Sequence, residues 1–540
     1  AAGAAAALAD RAAVFVDGRY TLQARKQVDA SSYEIDVLKE GRLGEWLLEA
    51  APDGAKIGFD PWLHGKAEID ALKKTLAKRG LTLLPVAQNP VDTAWRDRPP
   101  PPAAAIRPHA DELAGEGAAV KRARIGRAIT ETGAASALLT LPDSIAWLFN
   151  IRGADIPRNP VPLCFAILGE DGAATLFIRP GQADDALAAH LGEDVTLARR
   201  DGFEAALAAL PGPVLLDQRS CPLAAAQILI EGGAEIVWGA DPCIMPKAIK
   251  NETEQAGART AHLRDAAAMA RFLFWLDREA PGGGLTEIDI AKRLEAERRE
   301  TNALMDISFD TISGAGPDGA IVHYRVSKET NRTLQPGELM LVDSGGQYVD
   351  GTTDITRTVT VGEPPEGAAR AFTLVLKGVI AVSLARFPEG TNGRDIDTMA
   401  RMSLWRAGMD YDHGTGHGIG SYLCVHEGPQ SLSRRGAVAL RSGMMCSNEP
   451  GYYREGAFGI RIENLIIVTP AEVPAGGDRE MMGFETITLC PIDRRLIVAD
   501  MLTAEERDWL NAYHARVAAA VGPLVDGDVA TWLTAACEPI

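Results

Sequence analysis

The sequence predicts a mixed α/β chain, with two smaller α/β domains ahead of a larger α+β domain that carries the chemistry. Three observations carry this reading. The chain has 540 residues, and at roughly 100–200 residues per domain that means about three domains. Four consecutive prolines, Pro99–Pro102 in RDRPPPPAAAIRPH, continue neither a helix nor a sheet ladder and mark a linker. Near Asp241 the texture changes from short mixed segments to long helical periods, then to glycine-rich, β-branched sequence. The expected boundaries are 1–98 for the first domain, 99–108 for the linker, 109–243 for the second domain and 244–540 for the third.

Apolar residues make up 46% and charged residues 24%, a composition that excludes chain-wide disorder. The net charge of −18 argues against nucleic acid or an anionic membrane as a partner, and it leaves many carboxylates for metal. Seven cysteines, odd in number and without a C-x-x-C pair, fit a reducing compartment such as the cytoplasm better than a disulfide framework. No apolar run approaches the ~18–20 residues of a membrane span. The opening AAGAAAALADRAAVFVDGRY lacks the basic start and long apolar core of a signal peptide. It enters strand-like sequence almost at once, as a chain would that starts inside its first domain.

Along the first two domains, Ala13–Val16 reads as a strand, Asp17-Gly18 as a turn and Tyr33–Glu49 as a helical period. An Ala-rich helix is expected near Lys121–Ala137. Its basic run KRARIGR, Lys121–Arg127, reads as a solvated face. Phe165–Leu168 and Thr175–Ile178 read as strands. In the third domain a long helix is expected over Asn251–Glu279, ended by Gly282-Gly283-Gly284, with a second over Glu287–Glu300. From Met305 to about Ile497 the pattern is strand and turn, followed by a helical tail over Thr503–Ala535.

Two motif matches fail on context. GAGPDG (Gly314–Gly319) fits G-x-G-x-x-G. Pro317 interrupts it, however, and AIVHYRV after it is strand-like, whereas a dinucleotide fingerprint needs a helix there. His413 and His417 stand four apart in HGTGHGIG, but four glycines in that string are hostile to a zincin-type helix.

The strong feature is a set of carboxylates in apolar, strand-like surroundings. In ELMLVDSGGQYVDGTTDITRTVTV, Asp343 ends an apolar run and Asp354 lies eleven positions on in a Thr/Ile/Val alternation. Gly345-Gly346 and Asp350-Gly351 signal a reversal whose midpoint falls between Tyr348 and Val349, so the two acids can face each other across a hairpin. Asp350 reads as a turn residue. Glu449 precedes Pro450-Gly451. In FGIRIENLIIV a period of two puts Ile460 and Ile462 on one face and Arg461 and Glu463 on the other. Singly, each acid is a buried charge in need of a partner. Together Asp343, Asp354, Glu449 and Glu463 carry −4, which two divalent cations match. His417 would complete an oxygen-rich site that suits Mn²⁺ and tolerates Zn²⁺, Co²⁺ or Fe²⁺. Two such ions about 3.5–4 Å apart can hold a bridging hydroxide and polarise a carbonyl. The competing reading of the same residues is a set of salt-bridged structural acids.

The strings VDSGGQYVDGTTDITRT, HGTGHGIGSYLCVHEGP, NEPGYY and GIRIEN resemble the pita-bread metallopeptidases. They are most similar to the long, three-domain Xaa-Pro aminopeptidases (aminopeptidases P). FVDGRYTLQA, SIAWLFNIRGADIPRNPV, PKAIKNETE, ETNRTL and LTAEERDWLNAYH extend that resemblance over nearly the whole chain. It implies two creatinase-N-like domains followed by a pita-bread catalytic domain. It implies Asp343 as the bidentate ligand of one metal, Asp354 and Glu463 as carboxylates bridging both, and His417 and Glu449 as ligands of the second. Glu449 resembles the carboxylate that also deprotonates the attacking water. His323, His413 and His426 resemble the histidines around the substrate, and Tyr453 and Arg461 a relay that orients the metal carboxylates.

The activity implied is release of the N-terminal residue from peptides with proline in second position, by a hydroxide on two metal ions, in a homodimeric enzyme of the cytoplasm. Prolidase, which shares the metal site and cleaves Xaa-Pro dipeptides, is the nearest alternative. A catalytically inactive, peptide-binding pita-bread module is another, though such scaffolds tend to lose ligands and here all five are in place. Creatinase shares the fold without this ligand set. Members of the long form normally begin with several dozen further residues, so the resemblance places the start of this chain inside the first domain.

Overall fold

The structure, a computed structural model, describes residues 3–540. It forms two compact units, Ala1–Lys247 and Ala248–Ile540.

In the first unit, Ala12–Val16 pairs antiparallel with Gly3–Ala7 and parallel with Glu34–Val37. Phe15 on this sheet meets Trp46 edge-on at 6.1 Å between centroids. Trp46 and Leu47 from the helix Arg42–Ala50, with Ile69 and Leu76 from Lys66–Leu76, close the core over Ala13 and Phe15. The expected single helical period over Tyr33–Glu49 is therefore a strand followed by a helix. Gly41, at φ 81°, makes a left-handed break between them that other residues avoid. Further on, a six-stranded sheet runs in the order Val195–Arg199, Ala174–Ile178, Phe165–Gly169, Ser136–Leu139, Val214–Asp217, Ile236–Gly239. Leu138, Val214 and Leu216 on it pack against Phe203, Leu207, Ala225 and Leu229 of neighbouring helices.

The Ala-rich helix covers Ala118–Glu131 and ends before the strand Ser136–Leu139. Its basic run is not the solvated face expected. Lys121 and Arg122 are buried. Lys121 Nζ donates to the Trp147 carbonyl (3.1 Å) and Asn150 Oδ1 (2.8 Å), and Arg122 Nε to the Gly172 carbonyl (3.2 Å). Acceptors folded in from distant sequence make that burial tolerable, and a charge run alone does not reveal them.

The second unit opens with α1, Glu252–Glu279, started by a capping box between Asn251 and Glu254, and α2, Glu287–Arg299. Then β1 (Ile312–Ala315), β2 (Leu339–Ser344), the small hairpin β3 (Gly346–Tyr348) and β4 (Gly351–Thr352), and β5 (Ile355–Thr360) follow. β2 lies between β1 and β5, antiparallel to both. Residues 320–326, AIVHYRV, form no strand. They run as irregular chain held by side chains, with the Tyr324 hydroxyl donating to Glu287 Oε2 (2.8 Å).

The strand-and-turn expectation up to Ile497 misses two helices, α3 (Ala368–Ser383) and α4 (Gly393–Trp405). α3 holds Phe372, Thr373, Val375, Val379, Ile380 and Val382, residue types that favour strands, and these hide its helical period. α3 contributes Phe372, Val375, Leu376 and Val379 to a core shared with Leu404, Ile460, Ile462, Leu510 and Val517. A second sheet follows, in the spatial order Glu427–Leu432, Gly416–Gly418, Met445–Asn448, Asn464–Val468, Phe484–Thr486. Its site-bearing strands are β6 (Gly416–Gly418), β7 (Glu427–Leu432) and β8 (Met445–Asn448). β9 (Gly451–Arg454) pairs with β10 (Phe458–Arg461), and β11 (Asn464–Val468) with β8. The expected continuous strand over FGIRIENLIIV is thus broken at Ile462-Glu463, where the chain changes partner. Instead of one tail helix there are two, α5 (Ala504–Val521) and α6 (Gly527–Ala536).

α3 and α4 touch through Gly378, where an added Cβ would lie 2.3 Å from the Ala400 carbonyl oxygen. Gly378→Ala is expected to lower stability by about 1–3 kcal/mol despite alanine's better helix propensity, because the crossing is overpacked. The midpoint of a denaturant titration measures it; an unchanged or raised midpoint would refute the close crossing.

Candidate metal centre

Asp343 is the next-to-last residue of β2, and Asp354 immediately precedes β5. The register pairs Asp343 with Thr356, not with Asp354, because the hairpin turns one residue later than its glycines suggest, at Val349-Asp350. The offset is two residues. Since side chains alternate with a period of two, both carboxylates still share a face. α1 holds the hairpin from outside. Arg264 grips Asp350 at 3.0 and 2.9 Å, and the buried Tyr348 hydroxyl donates to Asp265 Oδ1 at 2.7 Å.

His417 enters from β6. An added Cβ on Gly416 would stand 1.8 Å from the Ser447 carbonyl oxygen, so only glycine lets β6 lie against β8. Ligand atoms of Asp354, His417 and Glu463 all lie within 4.8 Å of one another. His417 Nε2 stands 3.5 Å from Asp354 Oδ2 and 3.4 Å from Glu449 Oε1. Its Nδ1 donates to the Gly418 carbonyl at 2.9 Å. That bond leaves Nε2 either to carry a second proton or to offer its lone pair, with the carboxylates, to a cation.

Glu463 occupies the break between β10 and β11. Arg357, fully enclosed, donates to the Glu463 carbonyl at 2.6 Å and to Asn464 Oδ1 at 2.9 Å, which fixes the break. The Thr356 hydroxyl donates to Glu463 Oε2 at 2.8 Å and accepts from Arg461 Nε at 3.2 Å. Ser447 donates to Glu449 Oε1 at 3.0 Å. The sequence reading misses both Thr356 and Ser447. Thr356 alone carries a signal there, its position two residues after Asp354 in the same alternation.

The acids are short of positive charge. Asp354 and Glu463 are 3% and 1% exposed. Burial first, and then repulsion from the neighbouring carboxylates, pushes both well above the usual carboxylate range. Glu463 Oε1 and Asp343 Oδ1 are buried without any hydrogen-bond partner. Arg461 Nη2 holds the other Asp343 oxygen at 2.6 Å, but one guanidinium would leave four ionised carboxylates at a net −3, which protons or cations must offset. Orphaned carboxylate oxygens, a directed imidazole lone pair and this excess of negative charge fit divalent cations.

The remaining expected residues surround the acids. Arg461 Nη1 donates to the Tyr453 hydroxyl at 2.6 Å, and that hydroxyl stands 2.8 Å from His413 Nε2. His413 Nδ1 donates to the Gly414 carbonyl at 2.8 Å, so Nε2 is the acceptor for Tyr453. Burial, then the nearby Arg461, holds His413 well below the ordinary histidine range, and it is neutral. The His426 ring lies 4.3 Å from that of His417 and 6.4 Å from that of His323. The ten residues singled out in the sequence therefore converge. His426 lies beside His417 and faces His323, and His413 joins through Tyr453 and Arg461.

The profile of metallopeptidase family M24 matches residues 256–470, and that of the M24 C-terminal region matches 480–540. The creatinase/prolidase N-terminal domain matches at 1–92 and again at 97–254. The whole chain is 40% identical to a probable Xaa-Pro aminopeptidase P of Neosartorya fischeri and covers 85% of it. A crystal structure of the X-prolyl aminopeptidase of Caenorhabditis elegans, described as a cytosolic enzyme with a di-nuclear active site, matches with a TM-score of 0.93 and 33% identity. The match covers 99% of this chain and 89% of that one. An Xaa-Pro dipeptidase from Bacillus anthracis matches over 69% of this chain and 99% of its own with a TM-score of 0.56 and 24% identity, a likeness of fold alone.

The raised acids give a signed pH dependence. Without metal, folded Asp354 and Glu463 keep protons that the unfolded chain gives up. The stability they confer is full below the ordinary carboxylate range, about pH 4, and is lost as pH rises through their raised values. A divalent ion takes the place of those protons. The gap in melting temperature between metal-loaded and metal-free protein is expected to widen as pH rises through that window. Calorimetry in both states measures it; a gap that narrows would count against the buried-acid account.

Proposed function

The chain belongs to metallopeptidase family M24, among the Xaa-Pro aminopeptidases P, and from that premise we propose that it removes the N-terminal residue from peptides with proline in second position, using two divalent metal ions. The observation that carries the reading is the cluster of Asp354, His417 and Glu463, with Glu449 against His417, Asp343 held by the one arginine Arg461, and two orphaned carboxylate oxygens. Full-length similarity to aminopeptidases P, including both N-terminal domains, favours this activity over dipeptide cleavage.

Asp343 would hold one ion, His417 and Glu449 the other, and Asp354 and Glu463 both. The oxygen-rich set favours Mn²⁺, with Zn²⁺ or Co²⁺ tolerated. When bound, the ions supply Lewis acidity that makes water a nucleophile at neutral pH and polarises a carbonyl. The side chains do the rest. Glu449, partly open to solvent, takes the proton of the attacking water. His426, beside His417, and His323, facing His426, donate to the scissile carbonyl oxygen as negative charge develops there. The Tyr453 hydroxyl, donating to neutral His413 and accepting from Arg461, fixes the guanidinium that orients Asp343. An X–Pro bond offers no N–H for a peptidase to grip, so histidine contacts to the carbonyl and the proline ring replace it. The free α-amine of the substrate is drawn to the acidic site, which restricts cleavage to the N-terminus.

The resemblance further favours a homodimer, which light scattering reads. Placement in the cytoplasm is supported by the cytosolic C. elegans neighbour and by cysteines that are all free among the described residues. No helix of the described residues is long and apolar enough to cross a membrane.

Exhaustive chelation is expected to abolish hydrolysis of Xaa-Pro-Xaa peptides, and Mn²⁺ to restore it. Full activity in metal-free protein would refute the mechanism, and cleavage confined to Xaa-Pro dipeptides would replace it with the dipeptidase reading. Glu463→Gln is expected to weaken both ions by more than the 10–100-fold that is typical, in rough terms, of losing an outer partner. Elemental analysis after dialysis checks this. Two ions retained as tightly as in the unsubstituted protein would remove Glu463 from its bridging role.

A further inference from the structure

The string HGTGHGIG cannot hold itself in place. Glycine loses more conformational freedom on folding than any other residue, and this string alternates glycine with the residues that matter. Its support comes from α4. Asp397 and Arg401, one helical turn apart and 1% and 2% exposed, form a two-pronged pair, Nε to Oδ2 at 2.9 Å and Nη2 to Oδ1 at 3.1 Å. Both then reach into the loop. Asp397 Oδ1 accepts from the Thr415 N–H (3.2 Å) and hydroxyl (2.6 Å). Arg401 donates to the carbonyls of Tyr411 (2.7 Å) and His413 (2.6 Å) and to Asp410 Oδ1 (2.7 Å). The Thr415 carbonyl in turn accepts the Glu449 N–H at 2.8 Å.

We propose that the buried Asp397–Arg401 pair is a positioning device for the metal centre, fixing residues 410–417 so that His417 and Glu449 meet one of the two ions and His413 meets Tyr453. The proposal rests on the metal reading above and deepens it. The pair bonds His413 through its own carbonyl. It reaches His417 through Thr415, two residues away, and Glu449 through the Thr415 carbonyl. Its hydrogen bonds run to this segment and not to Asp343, Asp354 or Glu463. A role in packing alone does not explain it, since apolar side chains of similar size fill such a space without the cost of burying two charges. Only a charged, forked pair satisfies two carbonyls and an N–H–hydroxyl pair of a glycine-rich segment at once.

The test titrates Mn²⁺ into chelated full-length protein carrying Asp397→Asn, Thr415→Val or the paired change Asp397→Leu/Arg401→Met, with bound ions counted by elemental analysis and melting temperature recorded alongside. In Asp397→Asn and in the paired variant, one ion is expected to weaken by about 10–100-fold, the other to stay within about twofold, and kcat to fall with the lost ion. In both variants the loss is expected to fall on one ion alone whatever the change in melting temperature, which a purely structural role does not allow. Both ions held as in the unsubstituted protein, or both weakened equally in step with the melting temperature, would overturn the proposal. If the Asp397 variants fail to fold, Thr415→Val, which removes one hydroxyl, decides by the same criterion. Fewer than two ions on the unsubstituted protein would sink the metal reading itself, and this proposal with it.

Discussion

Mutual repulsion among four carboxylates in one enclosed site is the constraint to which the catalytic unit is built. Water would relieve it, but burial of Asp354 and Glu463 removes water. Arg461 relieves only part, because its guanidinium reaches Asp343 alone among the four. The rest of the charge is left for protons or cations. Protons leave a centre of neutral acids with no reactive solvent, whereas cations give the same side chains a use. The cost of burying such groups is large, so an arrangement like this persists where function demands it.

The scaffold around the acids resists that repulsion from several directions. The β2–β5 hairpin is held from α1 through Arg264 and Asp265. The break at Glu463 is fixed by Arg357, whose guanidinium also reaches the carbonyls of Cys490 and Pro491 near the start of the C-terminal helices. The glycine-rich segment is held from α4. Arg357 and the Asp397–Arg401 pair are buried and Arg264 half-buried, so positive charge enters the unit mainly through arginines that grip backbone carbonyls and acids other than these four. That division keeps the acids rigid without neutralising them.

Much of the site is legible in local sequence. The alternation around Asp354 and Glu463, the glycines beside His417 and the reversal after Asp343 are local signals, and the ten residues singled out do converge. Local pattern misleads where the deciding partner lies far along the chain. The facing pair of Asp343 is Thr356, because glycines mark a reversal without fixing its residue. The strand through Glu463 breaks, because its two halves pair with different strands. Lys121 and Arg122 are buried, because carbonyls of Trp147 and Gly172 receive them. α3 is misread because it is rich in β-branched residues, which favour strands until the folded core encloses them in a helix.

The sequence by itself determined which chemistry is possible. Carboxylates and a histidine in apolar, turn-rich surroundings have few stable environments, and side-chain type and spacing already limit them to salt bridges or metal. Tertiary structure decided between those two. Only the folded chain shows that one arginine reaches a single one of the four acids, that two carboxylate oxygens are enclosed without a donor, and that a carbonyl turns His417 Nε2 toward the carboxylates. Charge balance and orientation are sums over distant segments, and no local stretch of sequence contains them.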